Sequence, residues 1–291
     1  MARVRSCTRY QRSFLNIVGT VCPFNRYDER CIFTPVVNGK RQRGSLPDFL
    51  VIGAQKAGTT YLYGLLRSHP RVKAAAKKEV HFFDTPKWRK GMGFYGEQFP
   101  DTSGGFVTGE ATPYYLFEPR VPGRVASTLP SVKLVVLLRN PVERAYSDWR
   151  HKVRQGTEDL AFEAALAAEG ARTAGERERM LADEHYYSRA LRRYSYLSRG
   201  VYVDQLARWR ERFAGDRLLV AKSEDLYANP ERVCEEVLDF LGLNRRALTA
   251  RGYGYGGEAE PMKPETHRRL EEYYRPHNLK LYEYLGRDFG W

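Results

Sequence analysis

Three observations predict an α/β fold of three layers, a central parallel sheet flanked by helices. Short apolar runs read as buried strands, stretches of helical spacing separate them, and a glycine-bearing turn joins the first strand to the first helix. Residues 47–52, Pro-Asp-Phe-Leu-Val-Ile, form the first strand, and residues 53–58 the turn. Residues 59–68 follow as a helix, because Tyr61, Leu62, Leu65 and Leu66 recur at i, i+1, i+4 and i+5 and so share one side. Residues 133–138 (Lys-Leu-Val-Val-Leu-Leu) and 217–221 (Arg-Leu-Leu-Val-Ala) read as a second and a third buried strand. Residues 142–155, 160–169 and 201–213 have helical spacing between those two strands, and residues 230–241 after the last. Parallel strands need such crossovers, whereas an antiparallel sheet would be joined by tight turns. Residues 176–193 are charge-rich and aromatic, and read either as a solvated face or as a flap over an acceptor.

Composition sets the bounds. A chain of 291 residues with 42% hydrophobic residues can hold a sizeable core in one α/β domain. Residues 1–46 read as an irregular basic N-terminal extension, and residues 47–291 as the catalytic domain. The formal net charge of +13 calls for an anionic partner without saying which. No recognised nucleic-acid motif accompanies it, so nucleic acid is not expected as a partner. Cys7, Cys22, Cys31 and Cys234 fit no common zinc spacing, and reduced thiols are expected. The apolar stretch at 14–21 is interrupted by Asn16, Gly19 and Thr20 and is too short to cross a bilayer. No signal peptide is evident, so a cytoplasmic location is expected. Oligomeric state is left open.

The turn carries the chemistry. Gly53-Ala54-Gln55-Lys56-Ala57-Gly58-Thr59-Thr60 has the glycine spacing of a nucleotide phosphate loop, but Thr59 stands where a kinase-type loop has its lysine. The cation comes earlier, at Lys56. Between strand and helix, such a loop aims backbone N–H groups and the positive helix end at an anion, and Thr59 and Thr60 add hydroxyl donors. One phosphate and its ester suit this loop better than a triphosphate with its metal, and the fold is expected to be of the P-loop type.

The K-x-G-T-T pattern after a strand resembles the sulfotransferases that use 3′-phosphoadenosine 5′-phosphosulfate (PAPS). Other stretches extend the likeness in order along the chain from about residue 47 to 291. Lys78-Glu79-Val80-His81-Phe82-Phe83-Asp84 is similar to the K-E-x-H-F-F-D segment of heparan sulfate sulfotransferases, particularly the 3-O type. Residues 139–148, from Arg139-Asn140-Pro141 to Ser147-Asp148, resemble the family's R-[ND]-P-x-x-R-A-x-S-D motif. Residues 274–282 and 286–291 resemble the last helix and tail of the same enzymes. The family's eukaryotic heparan sulfate members are membrane-anchored in the Golgi, so a soluble bacterial enzyme is the better expectation.

The resemblance implies PAPS as donor, with no metal required, and roles for particular residues. Lys56, Ala57, Gly58, Thr59 and Thr60 would bind the 5′-phosphate, and Lys56 would stabilise the departing 3′-phosphoadenosine 5′-phosphate (PAP) or contribute to donor binding alone. Arg139 and Ser147 would hold the 3′-phosphate, while Arg144 and Asp148 form an ordinary ion pair. Glu79 is the candidate general base, kept ionised by Lys77 and Lys78, or else a surface ion pair with Lys78. His81 would orient Glu79, contact the acceptor or serve structure, and Asp84 would position the acceptor or a basic side chain. Phe82 and Phe83 are packing residues.

Two departures narrow the carry-over. Gly109-Glu110-Ala111-Thr112-Pro113 resembles the family's E-K-[ST]-P segment, with Ala111 in place of the lysine that serves an acidic glycan. Residues 251–257 replace a cysteine-flanked loop, reading as a glycine-rich lid or a plain loop, with Lys263 as a substitute donor-binding cation. The expected activity is sulfuryl transfer to a hydroxyl or amine of a carbohydrate or glycosylated small molecule. A noncatalytic PAP- or polyanion-binding protein is the second reading, and a nucleotide kinase, disfavoured by Thr59, the third.

Overall fold

A computed structural model describes residues 44–250 and 260–291, together with the backbone of 36–37 and 40–41. The two short strands β1 (Val36–Val37) and β2 (Lys40–Arg41) pair antiparallel, inside the stretch expected to be irregular. The main sheet has five strands: β3 (Phe49–Gly53), β4 (Val72–Ala74), β5 (Val107–Ala111), β6 (Lys133–Leu138) and β7 (Leu218–Lys222). They lie in the order β4-β5-β3-β6-β7 and every pairing is parallel. This is the three-layer P-loop type of fold, with helices on the sheet. The apolar runs at 47–52, 133–138 and 217–221 are β3, β6 and β7 within two residues at either end.

Strands β4 and β5 were not anticipated, for a physical reason. Residues 107–111 read Val-Thr-Gly-Glu-Ala, which breaks an apolar run, yet Thr108 and Glu110 are fully buried. Their polar atoms have partners supplied only by the fold: the Thr108 N–H donates to Asp48 Oδ2 at 2.8 Å, and its hydroxyl to the Lys73 carbonyl at 2.7 Å. Gly109 between them lies so close to β3 that a Cβ there would stand 2.5 Å from the Phe49 carbonyl oxygen.

Eleven helices are described: α1 (Thr59–Leu66), α2 (Gly91–Gly96), α3 (Val121–Thr128), α4 (Pro141–Arg154), α5 (Phe162–Thr173), α6 (Glu176–Ala182), α7 (Arg189–Tyr194), α8 (Tyr202–Arg210), α9 (Ser223–Ala228), α10 (Pro230–Leu241) and α11 (Pro264–Leu285). The two Asn-Pro pairs mark helix starts as capping chemistry dictates. Asn140 accepts from the Val142 N–H at 2.9 Å and Asn229 from the Arg232 N–H at 3.0 Å, each followed by proline at the first helical position. The charge-rich stretch 176–193 holds two helices, α6 and α7. Ser188 ends the connection by capping α7, with its hydroxyl accepting from the Leu191 N–H at 3.0 Å, and Met180 and Leu191 are buried, so the stretch is not simply a solvated face. Among the described residues, no helix is long and apolar enough to cross a membrane.

The core forms on both sides of β3 and β6, whose apolar residues are fully buried. From β3 the chain leaves toward β4, and from β6 toward β7 on the opposite edge. The carboxyl ends of β3 and β6 therefore flank the topological switch point, where open parallel sheets bind ligands. The loop at 53–58 and Arg139 lie at those two ends.

Candidate active site

Strand β3 delivers the phosphate loop and β6 supports it. The Ala54 N–H donates to the Leu137 carbonyl at 2.6 Å, and Arg139 Nη1 donates to the Lys56 carbonyl at 3.1 Å. Gly58 caps α1 with φ of 88°, a conformation that suits glycine, and a Cβ there would come within 2.9 Å of the Tyr227 hydroxyl. Helix α1 has neither a side-chain cap nor an acidic residue in its first turn. Its free N–H groups and positive end thus fit an anion. Positive side chains gather around it. Burial pushes the Lys56 ammonium below the ordinary lysine value, and Arg154, Arg139 and Lys152 add to that against the pull of Asp148. Thr59 is buried and Thr60 exposed at the helix start.

A second cluster follows β4. Asp84, fully buried, accepts from His81 Nδ1 at 2.8 Å, His81 Nε2 meets Glu79 Oε2 at 3.1 Å, and Lys78 Nζ meets Glu79 Oε1 at 2.9 Å. Arg192 from α7 closes the row with Nη2 2.6 Å from Asp84 Oδ2. Burial works against the charge on Glu79, yet the hydrogen bond from His81 and the charge of Lys78 outweigh it and bring the carboxyl down to about 2. Burial likewise opposes the charge on His81, yet the hydrogen bonds to Asp84 and Glu79 raise its imidazole to about 9. The row holds an imidazolium between two carboxylates at neutral pH. Lys78 thus forms an ion pair with Glu79, and Asp84 binds a basic side chain, Arg192. Phe82 and Phe83 are fully buried.

Lys152 lies within electrostatic reach of both clusters, since it lowers the Lys56 ammonium and is itself lowered by Arg192. Burial lowers its ammonium, Asp148 opposes, and Arg199, Arg192 and Arg193 lower it further. His151 beside it is also pushed below the ordinary histidine value, by burial and then by Lys56 and Lys152. Sequence spacing left out Arg192, Lys152 and His151. No local pattern ties Arg192 to Asp84, 108 positions away.

Other expected residues stand as follows. Ser147 lies two turns into α4, partly exposed, beside Asp148. Lys263 caps α11 and is exposed, with Nζ 3.7 Å from Glu163 Oε2. One turn on, His267 reaches Glu143 at 3.7 Å, and Glu143 lies 3.8 Å from Arg139 Nη2, so the start of α11 comes to the Arg139 side of the site. The lid expected at 251–257 and the cysteines at 7, 22 and 31 lie outside the described residues, while Cys234 is a buried free thiol. Tyr61 of α1 stacks on Tyr227 at 5.5 Å, and both adjoin the loop. Tyr61 also lines a cavity of about 390 Å³ with Leu65, Cys234, Arg246 and Leu248. Among the described residues, no group of three or more His, Cys, Asp or Glu side chains is arranged to hold a metal ion.

Comparisons with known proteins agree with this geometry. Residues 46–253 match the family model of the sulfotransferase domain. Heparan sulfate glucosamine 3-O-sulfotransferase 3B1 from Homo sapiens is 33% identical over 271 residues, covering 84% of this chain and 65% of that protein. Heparan sulfate glucosamine 3-O-sulfotransferase 6 from Homo sapiens is 30% identical over 282 residues, covering 88% and 77%. The chain thus spans slightly less than two thirds of the length of the first of these relatives. A solved sulfotransferase from Alicyclobacillus acidocaldarius superimposes with a TM-score of 0.69 at 29% identity, covering 84% of this chain and 98% of that one.

Proposed function

The chain belongs to the sulfotransferase family, and on that premise we propose that it transfers the sulfuryl group of PAPS to a hydroxyl or amine of a carbohydrate or glycosylated small molecule, releasing PAP. The observation that carries this reading is the Glu79–His81–Asp84 row, in a fold whose cation-rich phosphate loop has no kinase-type lysine. We assign catalysis to residues 47–291 and treat 1–46 as a basic extension.

The N–H groups of Gly58, Thr59 and Thr60, with the two threonine hydroxyls, hold the 5′-phosphate, while Ala57 lines the loop with its N–H turned to the Ala54 carbonyl at 3.2 Å. Arg139 and Ser147 take the 3′-phosphate, and Lys263 adds charge at that end. The aromatic wall of Tyr61, beside the 390 Å³ cavity, suits a stacked base. Glu79 accepts the acceptor's proton as the acceptor oxygen or nitrogen bonds to sulfur. Lys56 stabilises the negative charge that grows on the phosphate oxygen as its bond to sulfur breaks. His81, charged and fixed by Asp84, aims the Glu79 carboxylate.

The relatives' names point to glucosamine residues of heparan sulfate as their acceptor, which favours a carbohydrate here. Ala111 is fully buried and supplies no cation where the heparan enzymes have lysine. Neutral saccharides should therefore be sulfated at least as well as heparan fragments.

Isotopically labelled PAPS presented with a panel of saccharides and glycosylated metabolites tests the reading. Label should appear on an acceptor, and Glu79→Gln should lower turnover by roughly 10²- to 10⁴-fold, the scale of general-base catalysis, with PAP affinity nearly unchanged. Transfer at the parental rate by Glu79→Gln would remove Glu79 from the role of base. Absence of transfer to every acceptor despite tight PAP binding would favour a noncatalytic PAP-binding protein.

A further inference from the structure

The segment that carries Glu79 and His81 is neither helix nor strand, and both residues have left-handed backbone, with φ of 57° and 51°. Something outside the segment must therefore set its path. The four consecutive N–H groups that follow Glu79 are all taken by side chains from β5 and its exit. Val80 donates to Glu110 Oε2 at 3.3 Å, His81 to the Thr112 hydroxyl at 3.4 Å, and Phe82 and Phe83 to the Tyr115 hydroxyl at 3.0 and 3.4 Å. These acceptors converge on one carboxylate. Thr112 donates to Glu110 Oε2 at 2.5 Å, Tyr115 to Glu110 Oε1 at 2.9 Å, and Tyr95 to the same Oε1 at 2.7 Å.

We propose that Glu110 is the positioning residue of this active site, a buried acceptor whose hydrogen-bond cluster fixes the backbone that aims Glu79 and His81. The proposal rests on the reading of Glu79 as the group that takes the acceptor's proton. Glu110 is fully buried, and its hydrogen bonds go to the Val80 N–H and to the hydroxyls of Thr112, Tyr115 and Tyr95, so its effect passes through the main chain.

Proton directions within the cluster follow from its geometry. The Tyr115 oxygen receives two N–H groups, so its single proton points at Glu110, and the Thr112 oxygen receives the His81 N–H and points its own proton likewise. Four donors, three hydroxyls and the Val80 N–H, thus end on the two Glu110 oxygens. A carboxylate accepts all four. An amide of the same shape cannot, because its NH₂ would face either the Val80 N–H and the Thr112 hydroxyl or the two tyrosine hydroxyls. Burial raises the Glu110 carboxyl above its ordinary value, and the hydroxyls of Thr112, Tyr95 and Tyr115 counter that by stabilising the ionised form.

The test compares the full chain with Glu110→Gln and Tyr115→Phe. Three readouts are used: the NMR titration of the His81 ring, hydrogen exchange of the amides at 80–83, and kcat with calorimetric PAP binding. The His81 ring faces Asp84 and Glu79 from its own segment and Arg192 from α7. If Glu110 sets the segment, Glu110→Gln moves the His81 midpoint from about 9 toward the ordinary histidine value as the imidazole leaves its carboxylates. The four amides then exchange faster, and kcat falls by roughly 10- to 100-fold, the scale of a misplacement near 1 Å, while PAP affinity stays within about twofold. An unchanged His81 titration with unchanged kcat overturns the proposal, as does a parallel loss of PAP affinity and kcat. Tyr115→Phe removes the acceptor of Phe82 and Phe83 while leaving Glu110 in place, and it carries the same outcomes if Glu110→Gln does not fold. The titration and exchange need no sulfuryl acceptor, so they judge Glu110 even where absence of transfer has overturned the functional reading.

Discussion

Lys56, Glu79 and His81 are the described non-glycine residues with positive φ, at 68°, 57° and 51°. Each left-handed residue costs about 1–3 kcal/mol, and such strain persists where the surroundings over-determine it, which is common at functional sites. At Glu79 and His81 the surroundings are visible as ion pairs on the side chains and hydrogen bonds on the backbone. The same pairing makes stability depend on pH. His81 has a folded-state value raised to about 9 from an ordinary 6.5, so its contribution is fully present below pH 6.5 and is lost as pH rises through 9. Glu79, depressed to about 2, contributes above its ordinary 4.5 and loses that contribution as pH falls through 2. The melting temperature of the parent should therefore exceed that of His81→Gln most below pH 6.5, and the gap should close toward pH 10. A gap independent of pH would mean that His81 is not charged in the fold. The identity of these three residues was legible in the sequence. Their strain was not, because φ is imposed by partners distant in the chain.

Helix α4 does two jobs with one stretch of sequence. Its start presents Arg139 and the Asn140 cap to the switch point, and its middle buries a charge triad in which Asp148 Oδ2 lies 3.2 Å from Arg144 Nη1 and 2.6 Å from Arg199 Nη1. The i, i+4 spacing of Arg144 and Asp148 already suggested their pair. The second arginine, 51 residues away, enters only when the short helical turn at residues 198–200 packs against α4. All three side chains are at most 3% exposed, so their charges have no recourse to water. Removing the anion from such a group is costly because it leaves guanidinium charges buried and uncompensated. Asp148→Asn should lower unfolding stability by about 3–5 kcal/mol, read as a lower urea midpoint at an unchanged slope. A loss below about 1 kcal/mol would show that the arginines find other partners. Because Asp148 also holds up the Lys56 ammonium, the same change should push the lysine value lower still.

For the molecule as a whole, the order β4-β5-β3-β6-β7 matters more than any one helix, since it puts the phosphate loop and Arg139 on neighbouring strand ends. A ligand bridging those ends should hold the two halves of the sheet together. PAP at about a hundred times its dissociation constant should stabilise the fold by about 2.7 kcal/mol without magnesium, and ATP should do much less. Thermal unfolding with each ligand checks this, with Arg139→Ala expected to weaken PAP far more than adenosine 5′-phosphosulfate, which lacks the 3′-phosphate. Equal stabilisation by ATP and magnesium, with none by PAP, would contradict the donor assignment.

Legible in the chain alone were the strand–loop–helix unit at 49–66, the strands near 133–138 and 218–222, and the helices that begin at the Asn-Pro pairs. These depend on apolar runs, local spacing and caps, which act over a few residues. The chain alone also named Lys56, Glu79, His81 and Arg139, since each stands within a short motif. Folding alone makes 107–111 a strand with two buried polar side chains, brings Arg192 from the second helix of 176–193 onto Asp84, and lets Glu110, with the Thr112 and Tyr115 hydroxyls bound to it, gather the N–H groups of residues 80–83. Those outcomes turn on whether a polar atom finds a partner when buried, and the partners lie from a few to more than a hundred residues away in the chain.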